Sequence, residues 1–155
     1  MNTDKKISRR EALKRMGFAV MSSAIASSGL LSLASCETKR SKRIIFYFTG
    51  TGNSLYIARQ LAGENAELLS IPQMVKRGKY EFEADEIGIV YPIYGHMPPY
   101  MVRQFIQKAK LKAEYKFAVL TYGARKCDAV EIWDRISRKA DNAFDYISTI
   151  IMVDN

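Results

Sequence analysis

Ile44-Ile45-Phe46-Tyr47-Phe48-Thr49-Gly50-Thr51-Gly52-Asn53-Ser54 is the stretch on which the reading of this chain turns. Ile44–Phe48 is an unbroken apolar and aromatic run. A half-exposed strand alternates, so an unbroken run predicts a parallel strand covered on both faces. Thr49–Ser54 follows, in which every residue is a hydroxyl, an amide or a glycine. Ser54–Ala62 then sets Leu55, Ala58, Leu61 and Ala62 on one helical face, with Gly63 as a suitable stop. The polar loop thus runs from a strand straight into a helix N-terminus. Gly50 and Gly52 let the backbone approach an anion closely. Thr49, Thr51 and Ser54 supply neutral hydroxyls, Asn53 an amide, and the helix end a partial positive charge. With no lysine in the loop, this chemistry suits a terminal phosphate. The plain alternative is a helix-capping cluster with no ligand.

Other phosphate loops fail on residues. No G-x-x-x-x-G-K-S/T occurs in the chain, which excludes a Walker loop. A dinucleotide fingerprint needs Gly or Ala where Leu55 stands, and an acid at the end of the second strand, which reads Glu67-Leu68-Leu69-Ser70.

Outward from the loop, strand-like and helix-like segments alternate. Ala66–Ile71 is a short second strand, and Pro72–Tyr80 reads as irregular. Ile87–Tyr91 is the third strand. Pro98-Pro99 opens a helix to about Lys110, with Met101, Val102, Phe105 and Ile106 inward. Phe117–Thr121 is the fourth strand. The helix Asp128–Ala140 carries a stripe of Val130, Trp133 and Ile136 with Ala129 and Ala140 alongside, which assigns Trp133 to the core. Tyr146–Val153 is the fifth strand. This order predicts an α/β fold with a doubly wound parallel sheet, its ligand site at the carboxyl ends of the strands.

Phe46–Ser54 resembles the FMN-phosphate loop of the flavodoxin family, whose pattern is T/S-x-T-G-x-T/S. It is especially similar to the branch in which a flavodoxin-like domain is fused to a two-cluster ferredoxin module. The resemblance covers about 43–155 and implies strand order 2-1-3-4-5. It also implies FMN as cofactor, with Thr49, Thr51, Asn53 and Ser54 at its phosphate. Pro92-Ile93-Tyr94-Gly95-His96-Met97 and Tyr122-Gly123-Ala124-Arg125 would flank the isoalloxazine ring. Tyr94 and Tyr122 can present ring faces, or simply close strand ends. Gly95 and Gly123 leave backbone amides open to the flavin edge. His96 either pairs with the N1 edge or lies in solvent. Typical flavodoxins are strongly acidic and this domain is near neutral, so a different redox-partner surface is expected. No ferredoxin cysteines follow, and no closing helix follows the fifth strand. The expectation is a C-terminally incomplete domain whose partner is ferredoxin-type or a separately encoded remainder. The function implied is electron transfer through FMN, with no catalytic acid–base residues. A flavodoxin-like quinone or substrate reductase is one alternative, and a lipoprotein interaction module without flavin is another.

The net charge of +8 over 155 residues invites a nucleic-acid reading until it is located. Residues 1–35 carry +4 and 36–43 a further +3, which leaves +1 for everything from Ile44 onward. No basic patch remains for a nucleic acid. The first segment has the form of an export signal: basic to Arg15, then apolar but diluted by Gly and Ser over Met16–Ala34. Ser8-Arg9-Arg10-Glu11-Ala12-Leu13-Lys14 resembles the twin-arginine motif, with Ala12 where a large apolar residue is usual. Leu33-Ala34-Ser35-Cys36 resembles a lipoprotein box. These imply removal of 1–35, lipidation of Cys36, a basic tether over 36–43 and a globular domain over 44–155. The protein is then an exported bacterial lipoprotein, membrane-anchored on the extracytoplasmic side. The alternative is a retained N-terminal membrane helix with Cys36 incidental. Cys36 and Cys127 are the only cysteines, too few for a four-cysteine iron–sulfur cluster. Cys127 reads as a small, partly buried core residue. A single His96 excludes any metal site that needs several histidines.

Overall fold

A computed structural model describes residues 42–152. The expected export signal with Arg9 and Arg10, the expected lipidation site Cys36 and most of the expected tether lie outside the described residues. In chain order the elements are β1 (Arg43–Tyr47), α1 (Asn53–Ala62), β2 (Ala66–Ser70), α2 (Ile71–Arg77), β3 (Glu81–Glu83), β4 (Glu86–Pro92), α3 (Tyr100–Lys108), β5 (Lys110–Lys112), β6 (Tyr115–Tyr122), α4 (Ala129–Lys139) and β7 (Tyr146–Ile151). The main sheet is parallel throughout, in the order β2-β1-β4-β6-β7. Counting its five strands along the chain, that is the expected 2-1-3-4-5.

The unbroken apolar runs have the predicted cause. Ile44, Ile45 and Phe46 are buried because both faces of β1 are covered. On one face Ile44, Phe46, Ile87, Ile89, Tyr91 and Leu120 meet α2, α3 and α4 through Met74, Phe105, Ile106 and Trp133. On the other, Ile45, Val90, Phe117 and Val119 share a cluster with Ala58 and Ala62 of α1. The buried face of α1 is Ser54, Ala58 and Ala62, a row of small side chains that lets the helix lie close to the sheet, while Leu55 and Leu61 are half-buried. In α4 the deepest residues are Ala129, Trp133 and Ser137, so the stripe is turned slightly from the one expected and leaves Val130 half-buried.

Two segments differ from the sequence reading. Pro72–Tyr80 is not irregular, because Ile71–Arg77 is helical, with Pro72 in its first turn and Gly78 closing it at φ 64°. Proline costs nothing at a helix start, where its missing N–H has no partner to lose. A helix of this length is too short to display periodicity. The helix after Pro98-Pro99 stops at Lys108, and Lys110–Lys112 pairs with Glu81–Glu83 as a separate parallel ribbon. Each strand of the ribbon buries a single residue, Phe82 or Leu111, and that leaves no alternation to read.

Candidate functional site

The carboxyl ends of β1, β4 and β6 carry the three loops that the sequence singles out. In the first, the Gly52 N–H donates to Thr49 Oγ1 at 2.9 Å, and Gly52 caps α1 with φ 99°. A left-handed backbone there strains any residue with a Cβ, which is the local reason for glycine. Among the described residues no side chain caps α1. The first N–H groups of that helix are therefore left without the partner a cap provides, and they point out of its positive end. Ser54 is buried, with Oγ 2.8 Å from Thr121 Oγ1 at the end of β6. That bond ties the loop to the sheet two strands away.

The loop after β4 is a hairpin. Tyr94 and Met97 exchange both backbone hydrogen bonds, at 3.0 and 3.1 Å, around Gly95 (φ 53°) and His96 (φ 74°). Two positive φ values in succession make a mirror-image turn, which suits glycine and strains histidine. His96 Nδ1 lies 3.3 Å from Asp128 Oδ1 across the cleft mouth, with both side chains largely exposed. Tyr94 reaches back over the first loop: a Cβ placed on Gly50 would lie 2.6 Å from its hydroxyl. The third loop is held by Ile93 N–H donating to Thr121 O (2.8 Å) and Met152 N–H to Tyr122 O (2.7 Å).

These loops enclose a cleft of about 130 Å³ lined by Gly50, Thr51, Asn53, Ser54, Tyr94, Tyr122 and Gly123, with Pro92, Ile93, Thr121 and Met152. Seven residues proposed from sequence are brought together there. Thr49, Gly52, Gly95 and His96 stand behind or beside the lining, Thr49 and Gly52 shaping the first loop and Gly95 and His96 the hairpin. Thr121 and Met152 are additions. A hydroxyl ending the apolar run Phe117–Thr121 was the available signal for Thr121, whereas Met152 enters only through strand pairing. Among the described residues no cation lines the cleft. Cys127 is a correction: it is exposed, at φ 46°, because it sits in the turn before α4 rather than on the helix's inner face. Two larger hollows, about 490 and 480 Å³, flank the β3–β5 ribbon. Their walls carry interspersed charges of both signs, with Glu81 bonded to Lys110 at 2.7 Å, and offer no convergent donor set.

No protein-family model and no curated protein sequence matches the chain. Solved structures do match. A flavoprotein from Lactobacillus acidophilus, solved in complex with FMN, is 12% identical with a TM-score of 0.52, over 70% of this chain and 93% of that one. The two-electron reduced flavodoxin of Megasphaera elsdenii is 16% identical with a TM-score of 0.53, over 73% and 88%. With five parallel strands in the order β2-β1-β4-β6-β7 and helices on both faces, the described residues have the flavodoxin-like α/β fold.

Proposed function

We propose that this protein is a flavodoxin-like, FMN-binding electron-transfer protein, exported and held at the cell envelope by a lipid on Cys36. The observation that carries the FMN reading is the polar cleft at the carboxyl ends of β1, β4 and β6. Its donors are hydroxyls, an amide and helix N–H groups, with glycine at the closest approach. That set fits a phosphate monoester. FMN is also what the fold neighbour from Lactobacillus acidophilus holds.

FMN, when bound, supplies one- and two-electron redox chemistry at its ring. The protein's share is to bind, orient and shield. Thr51 and Asn53, with the first N–H groups of α1, would hold the phosphate. Tyr94 and Tyr122 would shield the ring from water, and the backbone amides at Gly95 and Gly123 would face its polar edge. Electrons would then pass to a redox partner protein.

Thr51→Asp tests the phosphate assignment. A carboxylate in place of a donor should weaken FMN binding by about 2–3 kcal/mol, roughly thirty- to two-hundred-fold. Riboflavin, which lacks the phosphate, should bind as before. Fluorescence titration of both flavins reads the difference. Equal loss for the two, or no loss for FMN, removes the phosphate from this loop. A purified protein that takes up neither flavin leaves the fold as an interaction module.

A further inference from the structure

We propose that the Tyr94 hydroxyl is a phosphate donor, closing the phosphate subsite from across the cleft; the proposal rests on the FMN reading and sharpens it. A Cβ on Gly50 would lie 2.6 Å from Tyr94 Oη and 3.9 Å from Cζ. The two distances differ by nearly the length of the phenolic C–O bond. Tyr94 therefore points at the loop end-on, hydroxyl first, and does not lay its ring face over it. The hairpin fixes that approach, since Tyr94 is pinned by two backbone bonds to Met97 and the turn between them is tight. Among the described residues the hydroxyl makes no hydrogen bond, and the residue is 49% exposed.

Thr49 Oγ1 accepts the Gly52 N–H and keeps its own proton to donate, and Ser54 Oγ shares a hydrogen bond with Thr121 Oγ1 in which either can be the donor. Among the described residues Thr51 and Asn53 make no side-chain hydrogen bond, and the Tyr94 hydroxyl adds a donor from the opposite wall of the cleft. Among the described residues no lysine or arginine lines the cleft to neutralise a dianion. A phenol is a stronger hydrogen-bond donor than an aliphatic hydroxyl because it is the stronger acid, and a bond from it to a phosphate oxygen is charge-assisted. Glycine at 50 is then explained as well. It is the position where a side chain would occupy the place of that hydroxyl, and its φ lies outside the left-handed region, so the backbone itself does not demand glycine.

Tyr94→Phe keeps the ring and removes only the hydroxyl. In the full-length protein it should lower FMN affinity tenfold or more, leave riboflavin affinity unchanged, and shift the ³¹P resonance of bound FMN. Gly50→Ala should lower FMN affinity likewise by pushing the hydroxyl aside. The two changes combined should cost no more than either alone, because both remove one interaction. Wild-type FMN affinity in Tyr94→Phe, equal loss for FMN and riboflavin, or additive losses would overturn the proposal while leaving the FMN reading standing. A wild-type protein that binds neither flavin would overturn both.

Discussion

Tyr91 lies on β4 immediately before the hairpin that forms one wall of the cleft, and it faces the core. Its ring packs against Trp133 with centroids 4.9 Å apart. Its hydroxyl and the Trp133 Nε1 are both buried, with no hydrogen-bond partner among the described residues. Burial holds the Tyr91 pKa well above that of a free phenol. The ionised form is thus disfavoured in the folded state. The stability linked to it is intact below the unfolded pKa, near 10, and is lost as pH rises from there through the folded value. Tyr91→Phe removes the unpaired hydroxyl and keeps the packing, so it should stabilise at neutral pH by about 1 kcal/mol. It should also flatten the fall in melting temperature between pH 9 and 11. A destabilised variant at pH 7 would show that the hydroxyl has a partner, such as an internal water.

Asn142 decides how three elements end. It is buried in the turn after α4, and the two hydrogens of its Nδ2 go to the carbonyls of Ala109 and Ala140 (2.8 Å each), with the Ile106 carbonyl at 3.2 Å sharing one of them. Its Oδ1 accepts from Leu111 N–H at 3.2 Å. One side chain so satisfies the orphaned carbonyls at the ends of α3 and α4 and an edge donor of β5. Asn142→Ala strands those groups in the interior, at a cost of about 2–4 kcal/mol. Urea unfolding measures the loss, and faster exchange of the Leu111 amide should localise it. An exchange rate no different from wild type would mean that water replaces the side chain. Nothing in the sequence advertises this role. An Asn between Asp141 and Ala143 reads as an ordinary turn residue, and only the fold brings Ile106, Ala109 and Leu111 beside it.

Over the whole molecule, the positive charge is concentrated in residues 1–43, which carry +7, and the proposed export signal and the domain make separable predictions. On the proposed reading FMN enters the folded domain, so a flavin-loaded protein would reach the envelope only by a route that carries folded chains. Arg9→Lys with Arg10→Lys should leave holoprotein in the cytoplasm, whereas Cys36→Ala should permit export and release the domain from the membrane. Cell fractionation with flavin fluorescence reads both, and unchanged export of the double-lysine protein would exclude the twin-arginine route. The strand order was implied by the family resemblance; by itself, the sequence determined the doubly covered parallel strands and the Gly- and hydroxyl-rich loop before the first helix. Each is a local statement: unbroken apolar runs require cover on both faces, and a Gly- and hydroxyl-rich loop before a helix has one geometry to offer. Tertiary structure alone decided what each donor is free to do. Ser54 is bonded to Thr121 sixty-seven residues away, Tyr94 aims its hydroxyl at Gly50, and Cys127 turns outward. Those outcomes depend on which strands lie side by side, and residues distant in the chain carry no mark of the neighbours that pairing gives them.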